Sequence, residues 1–116
     1  MMNPQDHISR ANLLCQKLRN TSAQVGSRDR PRTVRGADPN ELKKLYTFLL
    51  KHRDSPDAMS KLRKLVSKLP DSNFAKRSGS TAGYYKNIKS ALDGVGFYQL
   101  AVDDAIYILG WACRLL

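Results

Sequence analysis

Two closely spaced helix starts in the middle of the chain constrain its fold more than any other feature. The run Asp38-Pro39-Asn40-Glu41 places an N-cap aspartate before a proline at the first helical position and a glutamate at the third, a capping-box arrangement. Ser55-Pro56-Asp57 repeats the N-cap and the proline. Apolar residues then recur at helical spacing after each start. They are Leu42, Leu45, Tyr46, Leu49 and Leu50 in the first segment, and Met59, Leu62, Leu65, Val66 and Leu69 in the second, which ends before Pro70. The short connection predicts a helical hairpin.

Helical periodicity also extends towards both ends of the chain. An apolar stripe between Ile8 and Leu18 predicts a first helix with Asp6 as its N-cap, and another between Tyr84 and Leu92 predicts a fourth. The last helix, from about residue 97 to residue 115, is apolar on most sides. Its narrow polar stripe consists of Asp103, Asp104, Tyr107 and Arg114. Such a helix is central in a bundle or covered by a partner subunit.

Two segments lack this periodicity. Residues 20–38 contain Gly26, Pro31 and Gly36 among polar residues, which favours an Arg-rich loop and is compatible with mobility. Residues 71–83 are ambiguous, with a short helix around Phe74 followed by a Ser/Gly/Thr loop as our interpretation. No alternating run predicts a strand. We therefore expect an all-α protein, a compact bundle of about five helices that forms one domain over residues 1–116.

The net charge indicates the kind of partner. The 116 residues include 20 Lys and Arg against 10 Asp and Glu, a formal charge of +10. Residues 10–89 hold 19 of the basic and six of the acidic residues, a local +13, whereas residues 90–116 carry −2. This excess favours a polyanionic partner, usually nucleic acid and less often an anionic membrane surface. The middle of the chain is the part that we expect to contact it.

The candidate nucleic-acid-binding residues fall into a helical set and a loop set. The helical set comprises Lys43, Lys44, Lys51 and Arg53 on the second helix, Lys61, Arg63, Lys64 and Lys68 on the third, Lys76 and Arg77 before the fourth, and Lys86 and Lys89 on it. The loop set comprises Arg28, Arg30, Arg32 and Arg35. Lys61, Lys64 and Lys68 share one helix face, and lysine suits phosphates better than base edges. The alternative for the helices is a solvated face, and for the loop a linker whose charge serves solubility. Tyr84 and Tyr85 could stack on bases, but we expect Tyr85 to pack with Ile88 in the core, which leaves only one ring free.

The inventory of reactive side chains argues against catalysis. His7 and His52 have no metal-ligand spacing, Cys15 and Cys113 fall on apolar stripes, and adjacent Asp103 and Asp104 point about 100° apart on a helix. No glycine motif for phosphate binding is present. We expect a protein that is not an enzyme and has no cofactor or metal. We also expect a cytoplasmic protein without a signal peptide or membrane span, since the N-terminal residues lack an apolar run, the last helix carries charges that disfavour a bilayer, and the cysteine usage fits a reducing compartment.

The C-terminal run Ala105-Ile106-Tyr107-Ile108-Leu109-Gly110-Trp111-Ala112-Cys113-Arg114-Leu115 contains an aliphatic-Leu-Gly-aromatic turn. In this turn and in its Leu-rich hairpin over residues 41–69, the chain resembles the small helical subunit of CRISPR effector complexes, Cascade-like, of type I or type III. The resemblance implies a non-catalytic role in which several copies stack in a guide-RNA complex beside other Cas subunits. Their basic faces would then hold the guide–target duplex or the displaced DNA strand. Two other functions stay open: a stand-alone basic helical DNA-binding protein, and a helical protein-interaction adaptor whose last helix is the working surface.

Overall fold

The computed structural model describes residues 2–26, 29–72 and 79–116. Its helices are α1 (Pro4–Arg19), α2 (Pro39–Lys51), α3 (Ala58–Lys68), α4 (Gly79–Gly94) and α5 (Val102–Leu115). Two short strands, β1 (Ser22–Gly26) and β2 (Pro31–Arg35), connect α1 to α2. Single 3-10 turns at Leu69–Asp71 and Phe97–Gln99 follow α3 and α4.

The apolar stripes of the helices form one core, and α5 lies against both α1 and α2. The two faces that meet α5 contribute Leu14 and Leu18 from α1 and Leu42, Leu45 and Leu49 from α2, all at most 1% exposed. From α5 itself Ile108 and Leu109 are buried. One side of this helix is therefore covered by the chain's own helices, whereas Tyr107 on its other side is exposed.

The predicted helix starts are correct for α2 and wrong for α1 and α3. The carboxylate of Asp38 accepts a hydrogen bond from the Asn40 amide (2.9 Å), and Pro39 begins α2. In α1 the N-cap is Asn3, whose side chain accepts from the Asp6 amide (2.8 Å), because the helix already begins at Pro4. Asp6 therefore lies inside the first turn, where an acidic side chain favours the helix dipole.

The start of α3 lies later than the sequence predicts. Residue Asp57, not Ser55, occupies the N-cap position. The carbonyl of Ser55 accepts from the Ala58 amide (3.2 Å), so a turn precedes the helix. The Ser55 hydroxyl donates to the Asp57 carboxylate instead of accepting from a helix amide. After the short link, α3 is in contact with α2.

The loop prediction for residues 20–38 is wrong, and the class is mostly helical rather than purely all-α. Strands β1 and β2 pair antiparallel, with Ala23 opposite Val34 and Gln24 opposite Thr33. Val25 and Val34 are the buried side chains of this hairpin, which packs on α4. Each strand has five residues, so the alternation is too short to stand out from the polar residues around it.

Helix α4 begins at Gly79, so the predicted Ser/Gly/Thr loop is helical from that residue onward. Packing explains why helix forms despite two glycines, since Gly83 has no side chain to hold the hairpin away from α4. A β-carbon there would lie 2.5 Å from the β-carbon of Val34. The predicted helix around Phe74 lies outside the described residues.

Candidate nucleic-acid interface

The lysines of α3 form an exposed row on the face opposite its buried side chains. Ala58, Leu62 and Val66 are buried in the core, which leaves Lys61, Lys64 and Lys68 exposed on the other side. Neither Lys64 nor Lys68 has a hydrogen bond or ion pair with any residue that the structure describes. These ammonium groups keep their full charge available at the surface.

Lys61 differs from the other two lysines of the row. Its Nζ lies 3.5 Å from the Asp57 carboxylate and 3.2 Å from the Ser55 hydroxyl. The hydrogen bond from Ser55, and then the charge of Lys61, hold the pKa of Asp57 below its usual value. Both partners of the ion pair are exposed, so the pair is screened by solvent and can exchange for a contact with phosphate.

A polar face of α2 lies at its N-terminal half. Asn40, Lys43, Lys44 and Thr47 follow one another at helical spacing and line a shallow, open depression of about 470 Å³. Lys44 donates to the buried Glu41 carboxylate at 3.2 Å. Lys43 is exposed and forms no hydrogen bond or ion pair within the described residues, and the same holds for Lys51 at the helix end.

Two of the predicted arginines are directed to groups of the fold. Arg53 forms an exposed ion pair with Asp103 of α5 (2.8 Å), so its guanidinium points towards α5. Arg63 lies over the ring of Tyr98, 5.7 Å from its centroid. Burial, and then the charge of Asp93, raises the pKa of Tyr98 to about 12.

Two arginines of the segment predicted as a mobile loop form hydrogen bonds with other elements of the fold. Arg32 donates to the Ser80 hydroxyl at 2.9 Å, which ties β2 to the start of α4. Arg35 donates to the carbonyl of Arg19 at 2.9 Å, at the C-terminus of α1. Arg30 is exposed. The predicted residues Arg28, Lys76 and Arg77 lie outside the described residues.

The two lysines of α4 are both exposed but differ in their contacts. Lys86 donates to the carbonyl of Gln24 in β1 at 3.1 Å, which fastens the hairpin to the helix. Lys89 has no hydrogen bond or ion pair in the described part of the chain. Of the predicted binding residues within the described part of the chain, five lysines on three helices are therefore exposed and form no ion pair: Lys43, Lys51, Lys64, Lys68 and Lys89.

Tyr85 belongs to the core, as expected, and cannot stack on a base. The side chain is fully buried and its hydroxyl donates to Glu41 at 3.0 Å. Burial, together with this contact, raises the pKa of Tyr85 above its usual range. Tyr84 is half-buried.

The reactive side chains have structural partners. His7 and Asp104 are joined by a hydrogen bond of 2.8 Å, and His52 packs against the ring of Phe48. Burial raises the pKa values of the Cys15 and Cys113 thiols, which disfavours the reactive thiolates. Among the residues described, no group of three His, Cys, Asp or Glu side chains could hold a metal ion.

A second surface, outside the predicted nucleic-acid-binding residues, surrounds the outer face of α5, the helix that the adaptor alternative takes as its working surface. Tyr107 and Trp111 form a ridge that separates two grooves and lines both of them. One groove, of about 410 Å³, lies towards Tyr46 and Leu50 of α2, and the other, of about 800 Å³, lies towards the N-terminus of α1. The sequence feature that corresponds to this surface is the polar stripe of the last helix, which contains Tyr107 together with three charged residues.

Comparisons with known proteins identify no relative of this chain. No protein-family model matches the chain, and neither the curated proteins nor the solved structures contain a significant match. Within residues 2–26, 29–72 and 79–116, none of the helices combines the length and the apolar character needed to cross a bilayer.

Proposed function

We propose that this protein binds the phosphate backbone of nucleic acid without sequence preference and without catalysis. One observation carries the proposal: Lys43, Lys51, Lys64, Lys68 and Lys89 are exposed on α2, α3 and α4 and form no ion pair within the described residues. An uncompensated surface of this kind is costly by self-repulsion and is neutralised when a polyanion binds.

Affinity then arises from the release of counterions. Each lysine that neutralises a phosphate displaces condensed cations, so the binding constant falls steeply as salt is added. For roughly four to six phosphates, log affinity against log salt has a slope of about −3 to −5. A compact ammonium group on a flexible stem matches phosphate oxygens but does not distinguish bases.

The more specific proposal is that the chain is a small subunit of a CRISPR guide-RNA interference complex, cytoplasmic and present in several copies. It is supported by the resemblance of the C-terminal turn that contains Gly110. In the structure this glycine lies against Tyr46, and a β-carbon added at Gly110 would lie 3.3 Å from the tyrosine ring. Purification from the native host tests it. Recovery of a guide RNA with further Cas subunits supports the proposal, and recovery of the chain without RNA contradicts it.

The phosphate-binding proposal is tested by a double variant with a matched control. Lys64→Gln with Lys68→Gln removes two charges from the α3 row, and Arg10→Glu changes the net charge by the same amount on α1. Fluorescence anisotropy with a labelled oligonucleotide is expected to show weaker binding for the double variant and a salt slope reduced by about 2 in magnitude. The control is expected to keep most of the slope. Equal losses in both proteins would contradict a local site on α3.

A further inference from the structure

The outer face of α5 exposes aromatic rings that the phosphate-binding surface does not use. Tyr107 is 54% exposed, and Trp111, one turn later on the same face, is half-buried. His7 stacks against Tyr107 with 5.0 Å between ring centroids and an interplanar angle of 25°. The hydrogen bond from His7 to Asp104 fixes that imidazole, so one face of the Tyr107 ring has a positioned stacking partner within the fold.

Two arginines and two aspartates line the grooves beside this ridge, and both aspartates have partners within the fold. Asp103 is paired with Arg53 and Asp104 with His7. Arg114 has no carboxylate partner among the described residues, and its guanidinium carbon lies 5.4 Å from the centroid of the Trp111 ring. A guanidinium that lies over an aromatic ring can bind a phosphate while the ring contacts a base.

The size of the grooves suits a small planar ligand. Both grooves are open to solvent, and their volumes of about 410 and 800 Å³ leave room for a planar ring beside Tyr107 and Trp111. Base stacking on aromatic side chains is tolerant of sequence because every base has a π-face. The same property distinguishes unpaired from paired nucleotides, since the bases of a duplex are already stacked on one another.

We infer that the Tyr107–Trp111 ridge is a stacking site for unpaired nucleobases, with Arg114 on the adjoining phosphate. This inference rests on the proposed function and narrows its ligand to single-stranded nucleic acid. The lysines of α2, α3 and α4 supply affinity for the backbone, and the ridge supplies the preference for unpaired bases.

Trp111 is the only tryptophan in the chain, so its fluorescence reports directly on the ridge. The probes are an oligothymidine and an abasic strand of the same length, which carries the same phosphates without bases. Oligothymidine is expected to quench the emission and to bind more tightly, whereas the abasic strand binds through its phosphates and leaves the emission nearly unchanged. A labelled copy of each strand gives the affinity independently by anisotropy.

Two variants separate stacking from general packing. Tyr107→Ala is expected to weaken oligothymidine binding roughly fivefold or more and to leave the abasic strand unaffected. Tyr107→Phe keeps the ring and is expected to bind as the wild type does. Far-UV circular dichroism and thermal unfolding show whether both variants keep the fold, as expected for a half-exposed side chain.

The outcomes distinguish this inference from the function on which it rests. If both strands bind equally and Trp111 fluorescence does not change, the stacking site is refuted while phosphate binding stands. If neither strand binds, the proposed function fails. If the fluorescence changes with protein concentration instead of with added strand, the ridge is a protein contact and the inference is overturned.

Discussion

Replacement of Gly83 by alanine tests how the β-hairpin is held on α4. An alanine β-carbon at this position would lie 2.5 Å from the β-carbon of Val34 and 2.8 and 2.9 Å from its two γ-carbons. Val34 is 7% exposed and belongs to a paired strand, so it cannot turn away as the end of a long side chain can. The hairpin has to shift away from the helix.

The expected change in the stability of Gly83→Ala follows from two opposing effects. Overpacking a well-packed contact destabilises by about 1–3 kcal/mol. Alanine is favoured over glycine in a helix interior by about 1 kcal/mol, which offsets part of this cost. Gly94→Ala is the matched control on the same helix, because the neighbour there is the flexible end of Lys17, which can move aside. We expect Gly83→Ala to be less stable than Gly94→Ala by about 1–3 kcal/mol.

Urea unfolding followed by far-UV circular dichroism measures this difference in the free energy of unfolding. Hydrogen exchange adds a local readout, because a displaced hairpin exposes the paired amides of β1 and β2. We expect faster exchange at Ala23 and Val34 in Gly83→Ala only. Equal stability of the two variants, with unchanged protection of the hairpin amides, would refute this account of the packing.

Two further predictions concern tyrosines of the core. Tyr85→Phe removes the hydroxyl that donates to the buried Glu41 carboxylate, and we expect urea unfolding to show a loss of about 1–3 kcal/mol, whereas unchanged stability would mean that this contact is not formed. Tyr98 has a pKa raised to about 12 by burial, so its neutral form is favoured in the folded state. The stability that this contributes is fully present below the unfolded value near pH 10 and is lost as the pH rises towards 12. Ultraviolet titration should therefore show two tyrosines, Tyr98 and Tyr85, ionising later than the others, and Tyr98→Phe should remove one of these two late steps.

The helical framework was predictable because periodicity and caps are local signals. Asp38 and Pro39 begin α2 as the sequence indicates, since an N-cap and a proline need only the next few residues. Glu41 shows where local reasoning ends. The capping box predicts that its carboxylate turns back to the helix start, whereas the structure pairs it with Tyr85 of α4.

The hairpin and the ridge could not be predicted because both depend on contacts between distant segments. Strands β1 and β2 are covered by α4, which lies far from them in the sequence, and no signal within the two strands indicates that this helix will bury Val25 and Val34. Arg32 and Arg35 were predicted as phosphate ligands on composition alone, whereas their partners Ser80 and the Arg19 carbonyl are supplied by the fold. The exposure of the α3 lysines was predictable because a helical face follows from spacing.

The central claim is that unpaired lysines on the helices bind a phosphate backbone. Its most direct measurement is the affinity of the wild-type protein for one labelled oligonucleotide across a series of salt concentrations. The account predicts a straight line of log affinity against log salt with a slope of about −3 to −5. A slope near zero, or no binding at low salt, would contradict it.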